Sequence, residues 1–298
     1  MATEESIQLE SFELTVGDLA DVDVEKLHLL SMSVGWPHRP KDWDMLREVG
    51  QGIAAMDQIG RVLGSAMWFP FGDDFATVGM VITSPRLQTR GTGRWLMDRI
   101  LQQTGPRPLG LNSTRAARRL YLSMGFTPEA TVYQCQGEAL PSSPPATLTA
   151  TSLREAEFKD LPELAVLDRQ ACNADRSALL ARLFEASKGM VLVRGDRIVA
   201  FSLCRPFGRG SLVGPVIASN DADAIAVTYP HVVNHAGGFL RLDTRQASGA
   251  FSEFLTRSGL PVYDTVTTMS LREPWLIREK DSTSVPPVIY GLMSQTLG

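Results

Sequence analysis

The chain has 298 residues, 44% of them hydrophobic and 21% charged, and 29 basic against 33 acidic side chains leave a net charge of −4. That length exceeds a single core and suits two domains of about 150 residues each. The charge balance gives no footing for nucleic acid as the main partner, and no apolar run approaches the ~20 residues of a membrane span. The opening MATEESIQLE lacks the basic start and apolar stretch of a signal peptide. Cys135, Cys172 and Cys204 are odd in number and show no metal or disulfide spacing. The expectation is a reduced, cytoplasmic protein with no nucleic-acid or membrane partner and no metal.

Residues Val16–Val49 read as helical, with an interruption at GWPHRP. Strands follow over Gly52–Asp57, Arg61–Phe69 and Phe75–Thr83. Turns at Asp57–Gly60 and Phe71–Asp74 make them an antiparallel meander. A helix over Thr92–Gln103 carries the apolar stripe Leu96, Met97, Ile100 and Leu101, and Gly105-Pro106 stops it. A strand at Leu109–Asn112, a helix at Arg115–Ser123 ended by Gly125, and a strand at Ala130–Gln136 complete the first half. Strands, one crossover helix and further strands predict a mixed α/β sheet of the α+β kind. The stretch GEALPSSPPATLTA, Gly137 to Ala150, reads as a linker with three prolines. The domain boundary is set near Ser143, giving domains 1–142 and 143–298.

The second half repeats the first at an offset of about 135 residues, a domain duplication and not a solenoid period. PFGDDFATVGMVITS from Pro70 matches PFGRGSLVGPVIAS from Pro206, with a one-residue gap. A hairpin signal precedes each, with Gly60 in the first turn and Gly195-Asp196 in the second. Downstream, LGLNSTRAARRLYLSMGFTP parallels LRLDTRQASGAFSEFLTRSGLPV.

Between the meander and the crossover helix lies SPRLQTRGTGR, with Gln88, Gly91 and Gly93. A helix start offers unpaired N–H groups and the positive end of the helix dipole. Glycines there let a phosphate approach the backbone, and Arg90 and Arg94 add positive charge. An ordinary strand-to-helix turn is the competing reading. No Gly-Lys-Ser/Thr follows, so this is not a P-loop. The missing third glycine and the antiparallel strand before it make a poor dinucleotide fingerprint.

Gln88-x-x-Gly91-x-Gly93, three residues after Pro85, resembles the pyrophosphate-binding motif of the GNAT (GCN5-related) N-acetyltransferases. TRAARRLYLSMGF, Thr114 to Phe126, is similar to that family's second signature, Asn-x-x-Ala-x-x-Leu-Tyr-x-x-x-Gly-Phe. The resemblance covers about Phe12–Gln136 and implies a catalytic GNAT domain there, so that with the internal repeat the chain reads as two tandem GNAT-like domains. It implies that Val81, Ile82 and Thr83 hold the acetyl and pantetheine parts of acetyl-CoA, the cosubstrate. It further implies that Gln88, Thr89, Arg90, Gly91, Thr92, Gly93 and Arg94 belong to the pyrophosphate loop, and that Tyr121 protonates the departing thiolate. Thr114 stands where the family usually has a cofactor-contacting Asn. For the base that deprotonates an amine, Asp73, Asp74, His28 and His38 carry suitable groups, and the sequence does not choose among them.

The second half keeps the sheet pattern and loses the anion site. Asp221 and Asp223 replace glycine and arginine at the helix start, where carboxylates repel a pyrophosphate, and Pro215 removes a strand N–H. This resembles tandem GNAT proteins with a degenerate C-terminal domain, as does the closing VIYGLMSQTLG. Such a half either completes the substrate pocket or buries a face of the first domain. Asp243 is a candidate for meeting a cationic amine, or a turn or cap aspartate. His231 and His235, at i and i+4, lack a glutamate and a third ligand and read as ordinary core or surface histidines. Asp160-x-x-Glu163 reads as a capping box.

The expected function is acetyl transfer from acetyl-CoA to a primary amine of a small molecule, by direct attack in a ternary complex, in a monomer or homodimer. The alternative is a non-catalytic acetyl-CoA sensor, which would not need Tyr121.

Overall fold

A computed structural model of the protein describes residues 6–9, 12–88, 91–140, 152–276 and 286–298. Contacts divide the chain into two compact units, residues 1–109 and 110–298. These are packing units. The repeat boundary near Ser143 is a different quantity, read from the proline-rich composition of the linker.

The first unit opens with β1 (Ser6–Leu9) and β2 (Phe12–Asp18), then α1 (Val24–Ser33) and α2 (Pro40–Val49). The strands β3 (Gln51–Asp57), β4 (Val62–Phe71) and β5 (Phe75–Thr83) and the helix α3 (Thr92–Thr104) follow. The five strands pair in chain order, all antiparallel. The meander and α3 lie where the turn signals and the 3.6-residue stripe put them. Leu96, Met97 and Ile100 are fully buried against β3, β4 and β5. Gly60, Gly72 and Gly105 take positive φ, as the turns and the helix stop require. The helical reading from Val16 is corrected at its start. Residues 12–18 form β2, drawn into the sheet by the free edge of β3, and the helices begin only at Val24 and Pro40.

The second unit contains β6 (Leu109–Ser113, all but its first residue), α4 (Arg118–Ser123) and β7 (Thr127–Glu138). The second repeat then adds β8 (Ser152–Glu155), α5 (Leu161–Cys172), α6 (Ser177–Glu185), β9 (Lys188–Arg194), β10 (Arg197–Phe207) and β11 (Gly210–Ala218). It closes with α7 (Asp221–Asn234), β12 (Phe239–Thr244), α8 (Ala250–Arg257), β13 (Val262–Leu271) and β14 (Val288–Gly291). The sheet order is β6-β13-β7-β12-β11-β10-β9-β8, with β14 beside β11. The two repeats therefore exchange the strands β7 and β13. β13 of the second repeat pairs with β6 of the first, and β7 of the first pairs with β12 of the second. β7 and β13 pair with each other, antiparallel.

This exchange explains why β7 runs from Thr127 to Glu138, well past the expected Ala130–Gln136. It has a partner strand on each side. The expected linker start at Gly137 is corrected by the same pairing. Residues 137 and 138 are strand, Gly137 packs against the Gly259 carbonyl where a Cβ would collide, and Leu140 N–H donates to Ser258 O at 2.9 Å. Most of the proposed linker, residues 141–150, lies outside the described residues. The capping box expected at Asp160/Glu163 is corrected too. Asp160 accepts the Glu157 N–H at 2.8 Å and pairs with Arg154, while Glu163 accepts the Ile198 N–H at 2.7 Å. Among the described residues no helix is long and apolar enough to cross a membrane.

Candidate active site

β4 and β5 fall out of step between Ser65 and Met67. Ser65 lies opposite Ile82 and Met67 opposite Gly79, so Met80 and Val81 together face Ala66. This is a β-bulge, and it places Met80, a buried non-glycine residue, at φ 51°. The Met80 carbonyl is held by the buried Ser65 hydroxyl, which donates to it at 2.8 Å. A bulge re-aims the backbone that follows it, here Val81, Ile82 and Thr83. Ile82 points into the core, while Val81 and Thr83 are half-buried.

The chain then makes a short 3-10 turn at Pro85–Leu87 and enters α3 through Gly91. Gly91 is the N-cap, left-handed at φ 86°, with no side chain capping the helix and no acidic residue in its first turn. A Cβ at Gly91 would meet nothing within 4 Å, so the approach to the helix start is open. The first intrahelical bond runs from Trp95 N–H to Gly91 O at 3.0 Å, and helix geometry leaves the N–H groups before it for an outside acceptor. Gln88 Nε2 donates to Thr83 O at 3.4 Å, and buried Thr92 donates to Leu87 O at 3.5 Å, tying the loop to the strand end and to itself. Gly93 is half-buried, and exposed Arg94 lies 3.9 Å from Asp98. Thr89 and Arg90 lie outside the described residues. A bare, uncharged-to-positive helix start of this kind suits a phosphate or pyrophosphate.

In the second unit Tyr121 sits on α4, buried, with its ring edge-to-face on Phe126 at 5.7 Å. Burial pushes its phenol above the usual range, so the hydroxyl, protonated near neutral pH in any case, carries its proton well into alkaline pH. Thr114 accepts the Ala117 N–H at 3.3 Å and so serves the turn that opens α4. Asp243 is fully buried on β12, and the Arg241 guanidinium meets its carboxylate at 2.8 to 3.2 Å. It is neither a turn nor a cap residue, and a cation of the chain already faces it.

Of the base candidates, His28 Nδ1 donates to His38 O at 2.7 Å, and His38 stands between Trp36 and Trp43 at ring distances of 5.8 and 6.4 Å. Asp73 and Asp74 are exposed in the β4–β5 turn. Sequence reasoning missed the bulge and its brace, Ser65. Left-handed Met80 gives no signal because it is not a glycine. The reasoning also missed a polar chain on the second unit's sheet. Asn112 of β6 donates to Gln295 O at 2.8 Å and accepts the Thr268 hydroxyl at 2.7 Å, and Gln295 donates to Gln134 at 3.0 Å.

The corresponding start of α7 is closed by the chain itself. Asn220 caps the Asp223 N–H at 3.0 Å, and Arg194 pairs with Asp223 at 2.7 Å. Asp221 accepts the Phe251 N–H at the head of α8 at 3.0 Å and the Tyr290 hydroxyl at 2.8 Å. Four residues before Gly259, where the first repeat has Tyr121 before Gly125, stands buried Leu255. The second repeat thus has neither an open anion site nor the tyrosine.

Profiles of the acetyltransferase (GNAT) domain match residues 50–128 and again residues 164–282. The uncharacterized N-acetyltransferase YitH of Bacillus subtilis (strain 168) is 25% identical over 286 residues, 94% of this chain and 97% of that protein. A candidate acetyltransferase from Pyrococcus horikoshii has a similar crystal structure, with TM-score 0.77 at 15% identity over 100% of this chain and 99% of that one. A tandem GNAT protein from the clavulanic acid biosynthesis pathway gives 0.60 at 15% identity over 87% and 98%. With two profile matches along its length and an N-acetyltransferase relative that spans nearly all of it, the chain belongs to the GNAT family of acetyltransferases, acyltransferases that generally use an acyl-CoA, and carries two domains of that family.

Proposed function

We propose that the protein transfers an acetyl group from acetyl-CoA to a primary amine of a small molecule, in the cytoplasm, using the first repeat alone. The observation that carries this reading is the open, glycine-capped start of α3 directly after the bulged end of β5. Acetyl-CoA supplies a thioester activated towards nucleophiles and a pyrophosphate handle. The N–H groups at residues 91–94 and the Arg94 charge bind that handle, and the re-aimed backbone of Val81–Thr83 hydrogen-bonds the pantetheine amides and the thioester oxygen. By resemblance to the family's second signature, Tyr121 is the residue that donates a proton to the sulfur as the C–S bond breaks. The amine attacks directly, since no cysteine is poised as a nucleophile: Cys135, Cys172 and Cys204 are all buried, and burial pushes the Cys135 and Cys204 thiols up to about 11 and about 12 and raises that of Cys172.

Calorimetric titration of acetyl-CoA into the purified protein tests the reading. One site per chain is expected, lost in Gly91→Glu, because a carboxylate side chain at a left-handed N-cap both strains the backbone and repels the pyrophosphate. Two sites would remove the restriction to the first repeat, and no binding would remove the acetyltransferase reading of this loop. A panel of amines at pH 6–9 then identifies the acceptor, and turnover of none of them favours a sensor.

A further inference from the structure

β11 and β12 are parallel neighbours, yet they pair only at Ser211↔Leu240 and Leu212↔Arg241 and then diverge. The wedge that opens is filled by the chain's own segment 288–293. β14 runs antiparallel to β11, with Ala218↔Val288, Ile217↔Ile289 and Val216↔Gly291. The next residue turns to the other wall, where Leu292 N–H donates to Asp243 O of β12 at 2.8 Å. The wedge is shaped to this segment. Gly214 lies under the Leu292 carbonyl, where a Cβ would collide with it, and Leu292 and Met293 have no exposed surface. Buried Arg205 donates to Met293 O at 2.6 Å. At the mouth of the wedge Tyr290 and the Phe251 N–H share the Asp221 carboxylate, so a carboxylate sits between the starts of α7 and α8.

β11 repeats the VG-x-VI-x-S of β5, the strand assigned above to the pantetheine arm. Pantetheine is a slender chain with two amides, and like a peptide it satisfies a strand edge by hydrogen bonds. We propose that the β11–β12 wedge is an acyl-CoA-type cleft occupied in cis: residues 288–293 take the place of a pantetheine arm, and the Asp221 carboxylate takes the place of its pyrophosphate. The second repeat is then held permanently in a ligand-filled state, which clamps β12 and with it the exchanged strand β7. The inference rests on the assignment of β5 to acyl-CoA made above.

The test uses the chain shortened to residues 1–285 and a synthetic peptide of residues 286–298. The peptide is expected to bind the shortened chain at 1:1 and restore its Tm, while a Leu292→Asp peptide binds at least tenfold more weakly. S-acetylpantetheine at millimolar concentration is expected to displace the peptide. A folded shortened chain that ignores the peptide overturns the proposal. Peptide uptake without competition overturns the pantetheine-like character of the wedge. If the shortened chain does not fold, hydrogen exchange on full-length Leu292→Asp takes its place. Faster exchange at residues 212–217 and 240–244, slowed again by S-acetylpantetheine, supports the proposal, and unchanged exchange overturns it. Peptide binding does not depend on acetyl-CoA binding to the first repeat, so failure of the functional reading shows separately, as absence of any acetyl-CoA site in the full chain.

Discussion

Single residues carry most of the chemistry, and their surroundings decide what each can do. Tyr121→Phe removes the proton donor and keeps the ring that packs on Phe126. Turnover should fall about 100-fold or more while the acetyl-CoA dissociation constant stays within a few-fold, measured by steady-state assay beside calorimetry. Ser202 and His231, 2.9 Å apart, look like a nucleophile and its base, and the hydrogen bonds say otherwise. The serine hydroxyl donates to Val227 O at 2.7 Å, so the imidazole must donate to the serine and cannot take its proton. Burial, with a smaller contribution from His235, lowers the His231 pKa from 6.5 to about 3. A depressed histidine pKa means that the unfolded chain takes up the proton first. Stability is therefore full above pH 6.5 and drains away as pH falls towards about 3, by a few kcal/mol at most. A His231→Gln variant should flatten the part of the Tm-against-pH curve between pH 6 and 4, at some fixed loss of stability.

At the scale of elements, the contrast between the starts of α3 and α7 separates a site from a relic. One is capped by a glycine with open space around it, the other by Asn220 with two aspartates in the first turn. This contrast was legible in the sequence, because glycine and aspartate at a helix start act through local geometry and charge. So were the hairpins, since a left-handed turn position at Gly60 or Gly195 asks for glycine wherever it occurs. The bulge in β5 was not legible, because it comes from register against β4 and not from any residue preference of Met80. Its brace offers a test. Ser65→Ala leaves the buried Met80 carbonyl without its donor, at a cost of about 1–2 kcal/mol. Thermal melting should show a lowered Tm, and KM for acetyl-CoA should rise several-fold as the strand end loses its aim. Unchanged KM would mean that the bulge does not position the thioester. The fate of Asp243 was equally hidden, since its partner Arg241 lies two residues away on the same strand face and only the pleat brings them together.

At the scale of the whole molecule, similarity between halves predicted two domains with the same sheet pattern. Pattern reading cannot see which copy of a strand pairs with which neighbour, because exchanged and unexchanged partners present the same alternation. Within residues 110–298 the exchange leaves β7 between β12 and β13, and β6 beside β13. Cutting the chain between residues 142 and 143 should therefore not release two stable domains. The fragment 1–142 would carry β7 with both edges bare, and 143–298 would lack the strand that flanks β12. Circular dichroism and melting should find each fragment poorly folded alone and folded on coexpression. Two cooperative, independent melts would contradict this.

The exchange also sets a clock on biosynthesis. β6 is complete at Ser113, but its neighbour β13 begins only at Val262, about 150 residues later in translation. At roughly 5–20 residues per second the ribosome exposes that strand edge, and both edges of β7, for on the order of ten seconds before their partners exist. The nascent chain spends that interval as a half-built sheet, and its yield in a cell depends on whatever shields those edges until residue 271 emerges.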